Sequence, residues 1–368
     1  MSTATHQFTT WMRDLVLPHF LQAGVSYTSG EALSFCETLP DTASLMRSRV
    51  QTRQLYVFAH ATRTGWIDAH QQVLSITDKG LAKFKNSAGA FHFSLDNNEI
   101  NAYEQAFALL AYCELYQLTK DHRFRQKAEL LHDWMNENLA LDEGGYAVNT
   151  QRPDFLNQNP NMHLFEACLH WWHTTGDARW EEISHRLYQL FNTRIFNQQH
   201  SCLVEFFAPG WQPTLPVSCH IDPGHHHEWT WLLYEYQKIS GINTEPQRGL
   251  LQKLATSHGE NSNTHSVMNE ITWHGERLRP ESRLWCQTER IKADVVNYLS
   301  SKDTAHLSQL DKHIEEMFTL YINDEIPGQY CDEIADNGER IRQASPSSTL
   351  YHLYVACRQL DYLPQEGE

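Results

Sequence analysis

Positive charge is scarce in this chain. Against 45 Asp and Glu there are 29 Lys and Arg, a formal net charge of −16 over 368 residues. A basic footprint for nucleic acid or anionic lipid is therefore missing, and neither is expected as a partner. No apolar run approaches the roughly 18 residues of a membrane helix. The first twenty residues, MSTATHQFTTWMRDLVLPHF, do not lead from a basic segment into an apolar one, as a secretory signal does, so a cytoplasmic location is expected. A Gly-rich phosphate loop is also absent. The eight cysteines form no CxxC pair, and several, such as Cys168 in FEACLHWW, lie in apolar helical patterns. Reduced, buried thiols are expected rather than disulfides or a zinc site.

What is present is apolar periodicity, aromatic residues and 22 histidines. Residues 8–22 read as a helix interrupted by Pro18, 49–65 as a second helix ended by Gly65, and 66–86 as its amphipathic partner. A β-prone piece, GAFHFS at 89–94, precedes a strongly apolar helix over 103–123, with a partner over 124–139. The same order recurs: GGYAVN (144–149) before helices at 159–180 and 181–196, CLVEFFA (202–208) before a helix from His225 to about Ser240, VMNEITWHG (267–275) before 283–300, and GQYCDEI (328–334) before 349–360. One polar residue per apolar helix (Arg53, Tyr103, His163, His225, Glu289, His352) gives intervals of 50, 60, 62, 64 and 63 residues.

Repetition on that scale points to a repeat architecture. One helix of each pair is apolar nearly all round and so is expected to be buried, while its partner shows one face to water. An inner ring of six helices inside an outer six meets both demands better than an open solenoid. The fold expected is all-α, an (α/α)6 barrel with short β-hairpins in the loops at one mouth, forming a single catalytic domain over 1–368. The N-termini of the inner helices would then surround a cavity carrying Arg53, Tyr103, Asn159, His163, His225, Glu228, Trp285, Gln287, Glu289 and His352. Aromatic faces with a few convergent polar groups suit a neutral, sugar-like ligand.

Six segments carry a resemblance: RVQTRQLYVFAHA (49–61), YEQAFALLAY (103–112), NPNMHLFEA (159–167), PGHHHEWTWLL (223–233), RLWCQTERIKA (283–293) and SPSSTLYHLYVA (345–356). Together, and in this order, they resemble the successive motifs of the N-acylglucosamine 2-epimerase superfamily. Its members are (α/α)6 barrels that epimerise or isomerise free sugars at C1 and C2, generally without a metal or redox cofactor. The resemblance implies His225 and His352 as catalytic histidines and Arg53 as the arginine of the first motif. It implies Asn159, His163, Tyr103, Glu228, Trp285 and Glu289 as residues lining the pocket. One branch carries a further arginine about ten residues before the histidine of the fourth motif, where this chain has Leu215. The final Leu350-Tyr351-His352 is closer to the isomerase branch than to the acetamido-specific one.

These residue types suit the chemistry. The C2 proton of an open-chain aldose calls for a base that works near neutral pH, which histidine is. The enediolate that follows calls for a fixed donor, a part Arg53 fits. The expected function is an aldose–ketose isomerase, D-mannose to D-fructose first, with His352 handling the C1/C2 proton. His225, oriented by Glu228, is expected to act in ring opening or as a base on the second face, with His163 in support. A 2-epimerase acting on glucose/mannose, cellobiose or N-acylglucosamine is the alternative. Glycoside hydrolysis or simple carbohydrate binding is a third reading, for which Glu228 and Glu289 would be the carboxylate pair. A His225–Glu228–His163 metal site is conceivable, but the fourth motif has no HxxxH or HExxH spacing and no cofactor is expected. A monosaccharide or disaccharide substrate and a monomer or homodimer complete the expectations.

Overall fold

The computed structural model describes residues 2–41, 45–214, 220–322, 325–342 and 344–364. The chain sorts into two compact units, Met1–Gln22 with Asn197–Leu203 and Cys219–Glu368, and Ala23–Phe196 with Val204–Ser218. The first of these opens with α1 (Thr3–Trp11) and α2 (Leu17–Ala23), joined through a π turn at Met12–Val16. Pro18 therefore does not interrupt the helix as the sequence suggests. Proline lacks an N–H and crowds the carbonyl four residues back. The wider π turn just before it, closed by the Leu17 N–H on the Met12 carbonyl, gives that ring room.

In the second unit α3 (Ser48–Arg63), α5 (Ala102–Thr119) and α7 (Gln158–Thr175) form one row. Against them lie α4 (His70–Ser75), α6 (His122–Asn138) and α8 (Ala178–Leu190). The first unit repeats this with α9 (Pro223–Ser240), α11 (Leu284–Ser301) and α13 (Ser347–Gln359) in a row. Here α10 (Glu245–His258) and α12 (Ala305–Tyr321) flank the row, and α1 packs on α12. The row helices are buried almost throughout, whereas the flanking ones bury one face. The sequence analysis assigns no element to α10 or α12.

Two expected helices change shape. The 103–123 helix stops at Thr119, because Lys120 turns left-handed at φ 58° as Gly176 and Gly241 do at the ends of α7 and α9. The partner over 66–86 is a short α4, a π turn (Ile76–Gly80) and a 3-10 turn (Leu81–Phe84). Gly80 shows why: a Cβ there would lie 2.0 Å from the Leu33 carbonyl oxygen, so the backbone of strand Glu31–Phe35 runs against this helix. The β-prone pieces form strands of two or three residues, such as Glu270–Thr272 between His220–Ile221 and Arg277–Arg279, or single bridges such as Lys85 with Phe91.

In five of the six row helices the fourth residue ties the preceding piece to the helix. The fourth residue of α3, Gln51, exchanges two hydrogen bonds with the Phe35 backbone, both 2.8 Å. The fourth residues of α5, α7 and α11 do likewise: Gln105 with Phe91, Asn161 with Tyr146, Gln287 with Val267. In α9 the fourth residue is His226, whose Nε2 accepts the Leu203 N–H at 3.2 Å. A buried backbone amide must find a partner, and these side chains supply it. None of the seven described cysteines is in a disulfide and all are buried, and no described helix is long and apolar enough to cross a membrane.

Candidate active site

Two residues beyond each tether, about 200° further round the helix, lies the sixth residue. In α3, α5, α7, α9, α11 and α13 it is Arg53, Phe107, His163, Glu228, Glu289 and His352. All six are buried. Tyr103 and His225, taken from the sequence as the repeated positions, stand one helical turn nearer the N-terminus, on the same faces as Phe107 and Glu228.

In the first unit these positions assemble an acid–base network. Glu289 Oε1 lies 2.8 Å from His352 Nδ1, and its Oε2 lies 2.5 Å from Lys292 Nζ. Glu228 joins them: one ligand atom each from Glu228, Glu289 and His352 lie within 4.8 Å of one another. The half-buried Trp285 lies near two histidines, the His225 ring at 5.2 Å and the His352 ring at 5.5 Å. This proximity depends on Gly224, because a Cβ there would meet the Trp285 ring at 2.8 Å. The Arg283 guanidinium lies 5.2 Å from the same indole.

Asp222 stands at His225, its Oδ2 3.8 Å from Nδ1. The sequence reading names Glu228 for orienting His225 and does not name Asp222. Asp222 also caps α9 by accepting the Gly224 N–H at 3.0 Å. The cue was there in Asp222-Pro223, an N-cap aspartate before a helix-opening proline. The three consecutive histidines point in three directions. His225 meets Trp285, His226 tethers the loop, and burial drives the pKa of His227 well down, with Arg290, His226 and His313 adding to it. Pairing of Glu289 with Arg290 or Arg283, an ordinary surface alternative, does not occur. Arg290 binds Glu316 and the His265 carbonyl, and Arg283 faces Asp222. Gln287, placed in the cavity by the sequence reading, has its amide engaged by Val267, Ser282 and Arg283. Its part is to anchor a loop.

In the second unit the corresponding positions build an arginine–aromatic cluster. Arg53 Nη2 donates to the Tyr103 hydroxyl at 2.7 Å, and its guanidinium lies 4.1 Å from the Phe107 ring. His163 meets Phe107 at 4.6 Å and Tyr103 edge-on at 5.1 Å, with Nδ1 3.0 Å from Glu166. Arg49, overlooked in the sequence, lies 4.7 Å from Tyr103 and pairs with the buried Glu104. Burial raises the Glu104 carboxyl, and Arg49 and Arg53 oppose that. Asn159 opens α7, its N–H held by Asn157 at 2.7 Å. Leu215 lies outside the described residues.

By distance alone, Glu228, Glu289 and His352 would suit a divalent cation. The Lys292 ammonium, however, already supplies Glu289 with its counter-charge. The same contact weighs against Glu289 as one of two independent carboxylates for hydrolysis.

Comparison with known proteins agrees with this picture. A family model described as N-acylglucosamine 2-epimerase matches residues 37–356. A mannose-6-phosphate isomerase of Rhizobium meliloti (strain 1021) is 27% identical over 375 residues, covering 95% of each chain. A crystal structure of D-mannose isomerase superposes with a TM-score of 0.87 at 18% identity, over 99% of this chain and 100% of that one. The cellobiose 2-epimerase of Bacillus thermoamylovorans B4167 does so at 0.83 and 17%, over 97% and 100%. The likeness shows the fold to be the expected all-α (α/α)6 class. With its acid–base and arginine–aromatic clusters at one repeated helical position, this chain belongs to the N-acylglucosamine 2-epimerase family and is an enzyme of the sugar isomerase and epimerase class.

Proposed function

We propose that the chain, acting as one catalytic domain, interconverts a free aldose and its ketose through a cis-enediol, with D-mannose and D-fructose the pair to test first. The observation that carries this reading is His352 Nδ1 at 2.8 Å from Glu289 Oε1. A carboxylate only accepts, so Nδ1 bears the hydrogen and the neutral ring keeps its lone pair on Nε2. Such a base can take the C2 proton of an open-chain aldose. The C–H electrons form the C1–C2 double bond, and the carbonyl electrons move to O1. Returning the proton to C1, with the O2 proton passing to O1, gives the ketose. His225, with Asp222 at 3.8 Å, is the acid and base for ring opening, and Trp285 offers an apolar face to the sugar. Arg53 is assigned to the enediolate oxygen as a fixed donor, and Tyr103, Asn159 and His163 to substrate binding, from their motifs.

The two histidines near Trp285 also favour a second reading. Protonation of C2 from the opposite face would make the protein a 2-epimerase. Incubation of mannose, glucose and cellobiose in deuterated water, followed by NMR, separates the two readings. Deuterium at ketose C1 supports the isomerase, and deuterium at C2 of a new aldose supports the epimerase. His352→Asn should lower turnover about 10²–10⁴-fold, the usual range for a lost general base; wild-type turnover in that variant would sink the assignment.

A further inference from the structure

Lys292 lies within the fifth motif segment, RLWCQTERIKA (283–293), which gives it no role. It lies one turn beyond Glu289 on α11, its side chain has no solvent exposure, and its Nζ is 2.5 Å from Glu289 Oε2. Its Nζ also lies 3.6 Å from the centre of the Trp231 ring on α9. An ammonium buried this completely is costly unless it is paired, so a lysine here calls for a specific explanation. Glu289 provides one, because its two oxygens face different partners, Lys292 on one side and His352 on the other. Glu228 brings a second carboxylate to within 4.8 Å of Glu289 and His352. Two neighbouring buried carboxylates resist being ionised together. A proton taken up by Glu289 would turn an acceptor for the His352 N–H into a group that can donate.

We propose that Lys292 is a positioning residue: it pins Glu289 as the carboxylate that holds His352 in its Nδ1–H tautomer, keeping the Nε2 lone pair for the substrate. The proposal deepens the isomerase reading and rests on it for the role of His352. Lys292 itself touches no substrate. Its influence passes through Glu289 to a ring 60 positions further along the chain.

The test combines kinetics with ¹⁵N NMR of the histidine rings in Lys292→Met, Glu289→Gln and the double variant. Lys292→Met should lower kcat on the order of 10²-fold, the lower part of the range for misplaced acid–base groups, with KM changed less than about threefold. The double variant should be no slower than Glu289→Gln alone, because residues acting through one path are not additive. The ring signals assigned to His352 should move from the Nδ1–H form toward the Nε2–H form in Lys292→Met. A kcat within about threefold of wild type, or losses that multiply in the double variant, would overturn the proposal. So would a His352 tautomer that does not change. If Lys292→Met does not fold, Lys292→Gln, which keeps a donor of similar reach without the charge, is subjected to the same measurements and the same criteria. If the wild-type protein exchanges no sugar proton while the tautomer still responds to Lys292, the isomerase reading fails and the positioning role stands.

Discussion

The two units place different chemistry at the same helical position. In the first, the sixth residues of α9, α11 and α13 are Glu228, Glu289 and His352, with Lys292 and His225 close by. In the second, those of α3, α5 and α7 are Arg53, Phe107 and His163, bound up with Tyr103 and Arg49. One set consists largely of carboxylates and imidazoles, which can pass protons to and from a substrate. The other is led by guanidinium groups, which cannot, and by aromatic faces. A shared scaffold can thus separate proton transfer from fixed charge by varying one position per repeat.

The comparison can be broken at its sharpest point by pairing His225→Asn with Arg53→Lys. His225→Asn should lower kcat by roughly 10²-fold or more, as loss of an acid–base group does. Arg53→Lys keeps the charge but loses the planar fork, and should lower kcat/KM by about tenfold, mostly through KM. Equal kcat losses from both would mean that the units do not divide the labour this way. Steady-state kinetics on mannose decides it.

A smaller effect tests what the units have in common. Gln105→Ala strips the Phe91 backbone of both its side-chain partners, and Gln287→Ala leaves the Val267 N–H without one while Ser282 still holds the carbonyl. Leaving such groups buried and unpaired costs about 1–3 kcal/mol, so both variants should melt a few degrees below wild type in calorimetry. Gln287→Ala should also lose activity, because its loop leads directly into Trp285 and Glu289. If Gln105→Ala cost the same activity at equal Tm, the division between the units would weaken.

The smallest effect is a pH dependence in the second unit. Burial pushes the Glu114 carboxyl up, but His170, His60 and Arg63 outweigh it and hold the group at about 2. His170 lies 2.6 Å and Arg63 3.0 Å from its oxygens. A folded-state pKa below the ordinary 4.5 means that the stabilisation is fully present above about 4.5 and is lost as pH falls toward 2. Melting curves from pH 5 to 2.5 should therefore fall more steeply for wild type than for Glu114→Gln. Parallel curves would remove Glu114 from the acid response.

Much of the fold was legible because helix periodicity and helix stops are local. The stop expected near Ser240 follows from Gly241 in a left-handed turn, whereas α5 and α7 end at Thr119 and Thr175, ahead of the expected 123 and 180. The helical register of the site was less legible, and Tyr103 and His225 stood in for Phe107 and Glu228. Positions three or four apart share a face, and sequence spacing cannot say which of them lies deeper. The loop tethers went unseen, although Gln51, Gln105, Asn161, His226 and Gln287 recur at 54, 56, 65 and 61 residues. Polar side chains of different length and type do not announce a common role.

By itself, then, the sequence determined the six-part helical repeat, the helices to be buried and the loops that precede them. Each of those rests on apolar patterns spanning a few turns. Tertiary structure alone decided that Glu289 turns to His352, 63 residues away, and to Lys292, rather than to the adjacent Arg290. Neighbours in sequence point about 100° apart on a helix. Which of them meets a partner is settled by the helix packed alongside, and no local pattern contains that information.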